Sequence, residues 1–283
     1  MDKFKLSPGL QPSYYITTDE YESQTNRAFP YCQYDKQGKL QFFAVCPECN
    51  NPISIISLHP KSKKSPKPYG RHFMGDVYKI ANYSQIAYDN CPYACPNSKK
   101  GDLLPTNSTI GDAKKDFIKK HFDLIIHVMS KETGIRISQK LAKELLGNYL
   151  KNQGWRYQFY TINNLPWTLP VFSEAITLKG RYLDPDSSLF KNLSDKYPDM
   201  FEDNCVKFLN NPYNPKFVLI NYKRSLTQNN HHLSETIKFR IINQDEKSMT
   251  NMYEETLIID QNLLAKTNYY SRKLLDIADK LVL

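Results

Sequence analysis

The stretch 44-AVCPECNNPISI-55 sets a tight turn between two apolar runs. Cys46 and Cys49 flank a Pro and a Glu, two asparagines follow, and β-branched residues resume at Ile53. Two cysteines at C-x2-C spacing on such a turn form a knuckle. Both thiolates then reach one tetrahedral ion at Zn–S distances of about 2.3 Å. A second pair, Cys91 and Cys95 in 90-NCPYACPNSK-99, has C-x3-C spacing and falls within the same range. The 41 residues between the pairs are long for a minimal ribbon, and an inserted loop accommodates them.

Three readings compete for these cysteines: a closed metal site, a redox pair beside unrelated thiols, or buried thiols. A redox CPEC expects a surrounding βαβ pattern, and none is present. A lone cysteine is usually just buried, but here four of six fall into two knuckles. That favours structural Zn2+ held by Cys46, Cys49, Cys91 and Cys95. His72, in 68-PYGRHF-73, is the alternative fourth ligand and would make the set Cys3His. Four protein ligands leave the ion no open position, so it would hold geometry rather than activate water.

The flanking residues support a β module. In 30-PYCQYDKQGKLQFFAVCPEC-49 two aromatic and β-branched runs surround the turn residues 35-DKQG-38, and 53-ISIISL-58 offers a further strand. Breakers Pro96, Gly101 and Pro105 mark a linker. We therefore divide the chain into a zinc-ribbon-like module over 1–108 and a mixed domain over 109–283.

Beyond the linker the period turns helical. Asp112 caps an expected helix over 113–132, with Phe117, Ile118, Phe122, Ile125, Ile126 and Met129 on one face, and Gly134 ends it. Ser138 caps the next helix over 139–153, with Gly154 at its C-terminal end; the pair predicts an αα-hairpin. Strands are expected at 155–161, 174–183, 216–222 and 236–242, and a helical pattern over 262–283. The fold class is α+β: an N-terminal zinc-ribbon-like β module, then a larger mixed domain with an αα-hairpin and a C-terminal helix.

The segments CPECNNPISIISL, PYGRHF, NCPY and NNLPW together resemble segments of uncharacterised bacterial proteins with an N-terminal paired-cysteine region. The resemblance spans about a third of the chain. It implies cysteine pairing and no activity.

Charge bears on partners. The formal net charge is +9, from 38 Lys and Arg against 29 Asp and Glu. The first 108 residues hold 13 and 9 of these, so the excess is spread along the chain. It permits contact with nucleic acid or an acidic protein and demands neither. Locally the signal is sharper. From Cys49 through Gly75 no acid occurs, while Lys61, Lys63, Lys64, Lys67 and Arg71 do. These cations suit phosphate, and Tyr69 beside them suits stacking on a base.

The function expected is therefore that of a zinc-binding, non-catalytic nucleic-acid-binding protein of bacterial type. A protein-interaction or assembly factor built on the zinc module is the alternative, and an HNH-like nuclease a lesser one. The nuclease lacks its His pair. His231 or His232 with Glu235 lacks the second His of a metalloprotease. No apolar run approaches the ~18 residues of a membrane helix, and no secretory h-region opens the chain, so a cytoplasmic location without membrane contact is expected.

Overall fold

Two buried runs, 43–47 and 51–53, anchor the first sheet around a turn. In the computed structural model, which describes residues 1–35, 37–60, 66–95, 101–227, 231–244 and 248–282, the chain is α+β. It divides into two compact units, 1–99 with 224–234, and 100–223 with 235–283. The boundary read from the sequence stands between 108 and 109, and nothing there signals the return of 224–234.

The first unit contains β1 (Lys3–Phe4), β2 (Tyr14–Tyr15), α1 (Thr18–Thr25), β3 (Cys32–Tyr34), β4 (Leu40–Val45), β5 (Pro52–Ile56), β6 (Tyr69–His72) and α2 (Gln85–Asp89). Strands β3 to β6 form an antiparallel meander in sequence order. Its first turn is held by Asp35, whose Oδ1 accepts from the backbone N–H groups of Gln37 and Lys39, both at 2.9 Å. This is the expected turn chemistry.

The register assigns the two faces. Ala44 pairs with Ile53 and Ile53 with His72, so these three point the same way. That face buries Phe4, Ile16, Tyr21, Ala44, Ile53, Ile55 and Leu58. Tyr21 is fully buried, and its hydroxyl reaches the carbonyls of Phe43 at 2.8 Å and Tyr31 at 3.0 Å. Gly70 lies on the same face, where a Cβ would come within 2.9 Å of Ile53 Cδ1. The opposite face packs Phe43 and Val45 under Val77, Ile80 and Ala81. The segment 224–234 belongs to this unit through the ring of His231, stacked on Tyr69 at 4.9 Å, and His232 Nδ1, 2.8 Å from Asp2 Oδ2.

The second unit contains α3 (Thr109–Thr133), α4 (Gln139–Lys151), α5 (Leu165–Thr168), β7 (Ile176–Thr177), α6 (Ser188–Lys196), β8 (Phe201–Glu202), β9 (Cys205–Val206), most of β10 (Pro215–Leu226) and of β11 (Leu233–Gln244), β12 (Met249–Ile258), α7 (Leu263–Lys266) and α8 (Arg272–Leu281). Both helices of the expected αα-hairpin are present, with Gly134 ending α3 at φ 67° and the Ser138 side chain accepting from Leu141 N at 3.3 Å, but each packs on α8 rather than mainly on the other. Helix α3 starts earlier than expected, with Ser108 rather than Asp112 at its cap position. Helix α8 packs on both α3 and α4. The main sheet has the order β12-β11-β10-β7.

Two expected strands differ. Residues 155–161 instead pass from a 3-10 turn, Gly154–Arg156, through a single bridge of Tyr157 to Leu103 into a turn, with Tyr157 and Tyr160 packed on Phe172 at 5.2 and 5.7 Å. Of 174–183 only Ile176–Thr177 is strand. Among the described residues no helix is long and apolar enough to cross a membrane.

Candidate metal centre

Cys46 lies two residues past Ala44, and therefore on the face shared by Ala44, Ile53 and His72. Cys46 N–H donates to Asn51 O at 2.8 Å, and Asn50 N–H to Cys46 O at 3.2 Å, which closes the knuckle. Asn50 takes the left-handed conformation, φ 59°, that the reversal requires. Its Oδ1 accepts from Lys5 Nζ at 2.6 Å and from Gly9 N at 3.2 Å, so the turn is fastened from outside.

Asn51 carries the second half of the site into place. Its Nδ2 donates to Ser84 O at 3.0 Å, and Ser84 N donates to its Oδ1 at 2.7 Å. Ser84 also caps α2, accepting from Ala87 N at 3.2 Å. Helix α2 delivers Cys91, which is buried beside Cys46. The Asn51 amide thus ties the knuckle to the helix preceding the distant cysteine.

Cys46, Cys49, His72 and Cys91 converge, and their ligand atoms all lie within 4.8 Å of one another. Cys46 Sγ is 3.7 Å from Cys91 Sγ, and Cys49 Sγ is 3.3 Å from His72 Nε2. A tetrahedral ion with Zn–S of about 2.3 Å and Zn–N of about 2.0 Å demands S···S near 3.8 Å and S···N near 3.5 Å. The four residues fit such an ion.

The fourth position falls to His72 and not to Cys95. Cys95 N–H donates to Cys91 O at 2.8 Å, so the chain turns back over Cys91 and leaves the Cys95 side chain exposed. His72 instead sits on the inward face of β6, its ring edge-on to Tyr88 at 5.0 Å.

The thiols do not titrate alike. Burial pushes Cys46 up, but hydrogen bonds from Cys49, Cys91 and His72 outweigh it and hold Cys46 well below the usual thiol range. Its hydrogen bond with Cys46 pushes Cys49 up, with burial adding to the rise. Burial pushes Cys91 up, reinforced by both neighbouring thiols. One thiolate forms readily, and its charge opposes the next. A divalent cation removes that opposition. Three thiolates with a dication leave −1, and Lys5, buried nearby, feels the attraction of Cys46, Glu48 and Cys49 against its own desolvation.

The residues expected to meet nucleic acid are placed differently from one another. Lys61, Lys63 and Lys64 lie outside the described residues. Lys67 and Arg71 are exposed, but Tyr69 is half-buried and already stacked on His231. A pair that the sequence reading missed stands out instead. Phe29 and Tyr78 are 55% and 70% exposed with ring centroids 6.1 Å apart, and Lys79 Nζ lies 5.7 and 5.5 Å from the two rings. Val77, Ile80 and Ala81 are buried and anchor that turn, so Tyr78 and Lys79 are presented outward. Their only sequence signal is an aromatic–Lys dipeptide inside an apolar run.

Other metal or nuclease candidates are engaged elsewhere. His59 Nε2 lies 3.5 Å from Glu22, and Asn90 Nδ2 donates to Ile86 O at 2.8 Å. Glu235 is buried and accepts from Tyr222, Asn164 and Gln261. The chain matches no family model, no curated protein and no solved structure.

Proposed function

We propose that the Cys3His cluster holds one structural zinc ion and that the unit it fastens binds single-stranded nucleic acid. The observation that carries the metal is the convergence of three thiol sulfurs and one imidazole nitrogen within 4.8 Å of one another, with the 3.7 Å S···S and 3.3 Å S···N separations close to tetrahedral ones. Thiolate with imidazole favours zinc among the available divalent ions, and four protein ligands leave no position for substrate.

Nucleic-acid binding draws support from two features of the same unit. Lys67 and Arg71 are exposed in a stretch without acids. Phe29, Tyr78 and Lys79 offer stacking faces with a cation between them. Stacking contributes about 1–3 kcal/mol per base and tolerates any sequence.

Metal analysis of the purified protein tests the first part: one zinc per chain is expected, lost on Cys46→Ser. Anisotropy with single-stranded and duplex oligonucleotides at two salt concentrations tests the second. Single strands should bind better, weakening with salt by a slope of about −0.7 per phosphate neutralised. Tyr78→Ala should weaken single-strand binding at an unchanged salt slope, whereas Lys79→Ala should lower the slope by about one contact. Absent or salt-independent binding would sink the nucleic-acid reading and favour a protein-assembly role.

A further inference from the structure

The second unit contains a cleft of 780 Å³ between the start of α4 and the segment after α7. Arg136, Lys140 and Arg181 line it, and no aspartate or glutamate does. None of the three cations makes an ion pair among the described residues. Arg136 and Lys140 are exposed, while Arg181 is half-buried with its Nε donating to Thr177 O at 2.6 Å. Burial pushes the Arg181 guanidinium down from its usual range, and only Glu144 works against that. Asp123 turns its carboxylate to the N–H groups of Leu124 and of the lining residue Ser271, both within 2.9 Å, and Asp184, two residues past Tyr182, lies 3.7 Å from Lys131 Nζ.

Part of the remaining wall is aromatic. His127 and Tyr269 stack nearly parallel, at 4.1 Å and 16°, and both line the cleft. A concave site of this size with convergent cations and a flat apolar wall has the make-up of a small-ligand pocket. Charge of one sign gathered in a cleft raises the local concentration of the opposite ion. Guanidinium forks match phosphate geometry and give strong charge-assisted bonds.

We propose that this cleft binds a phosphate ester of a planar ring compound. The phosphate lies among Arg136, Lys140 and Arg181, and the ring lies against the His127–Tyr269 stack. The site is separate from the metal centre and does not rest on its reading. Such a phosphate has two sources, a free nucleotide-like molecule or a residue of a polynucleotide.

Calorimetric titration of the full, zinc-loaded chain separates them. Adenosine 5′-monophosphate should bind saturably and adenosine should not. The double variant Arg136→Ala/Lys140→Ala should weaken the nucleotide by about tenfold or more, as expected for lost charged hydrogen bonds. Tyr269→Ala should weaken it about fivefold through the lost stack. A single-stranded oligonucleotide that displaces the nucleotide assigns the phosphate to a polynucleotide, and one that does not assigns a free ester. No saturable nucleotide binding, or an affinity unmoved in the double variant with wild-type helix content, would overturn the proposal. Chelating the zinc should leave the nucleotide affinity unchanged if the second unit alone supplies the site; a parallel loss of both would overturn its separateness.

Discussion

The two units hold themselves together by different means. The first splits its apolar residues between the two faces of one short-stranded sheet, so each face has a thin core. Its corner is fastened by four metal-competent side chains. The second has a 25-residue helical span, kinked at His121, packed under α8 and a sheet of strands up to 12 residues long. Its interior even accommodates polar groups: Asn164, Tyr222, Glu235 and Gln261 bond one another out of solvent. A core that large can satisfy a buried carboxylate internally, whereas a thin one gains most from a metal.

The sharpest way to break this contrast is to strip the ion proposed for the Cys3His cluster. Structural zinc supplies roughly 10–16 kcal/mol of apparent binding free energy to small modules. Chelation should abolish hydrogen-exchange protection in β4, β5 and β6 and leave α3 and α4 protected. If both units lose protection together, their stabilities are not independent. Acid should act the same way as the chelator. Protons compete for the three thiolates and the imidazole, so metal-dependent stability holds at neutral pH and is lost as pH falls.

Next in size is a change confined to the second unit. Gly134→Ala places a Cβ at φ 67°, 2.5 Å from Ser187 Cβ. The left-handed penalty alone is about 1–2 kcal/mol, and the clash adds to it, so thermal denaturation should show at least that loss with zinc content intact. In the first unit, Asn51→Ala removes both hydrogen bonds to Ser84 and should cost about 2 kcal/mol, visible as faster zinc transfer to a chromophoric chelator. The smallest effect discriminates best. Cys95→Ser should change stability by less than about 0.5 kcal/mol and keep one zinc per chain, whereas His72→Ala should release it.

What could be read from the sequence tracks how local the determinant is. The junction between α3 and α4 was legible because Gly134 and Ser138 carry their own end signals. The turn at Asp35 and the first knuckle are likewise set by neighbours. Choosing His72 over Cys95 is not local. It follows from the pairing of β5 with β6, which puts His72 opposite Ile53. A one-residue slip would have turned His72 to the other face. The segment 155–161 misled for a related reason: its aromatics pack on Phe172, a partner outside the window. Strand β12 was missed because its buried positions, Met252 and Leu257, lie five apart, with a bulge at Met252, while Met249 and Ile258 are exposed, so no alternation marks it.

The return of 224–234 to the first unit has a consequence for how the chain is made. His232 meets Asp2 across 230 positions of sequence, so a ribosome must deliver most of the polypeptide before the N-terminal unit receives its last segment. Closing so large a loop slows assembly far more than it weakens the finished state. Cutting the chain after the linker would therefore yield a module that still carries all four metal ligands but lacks the imidazole that covers Tyr69.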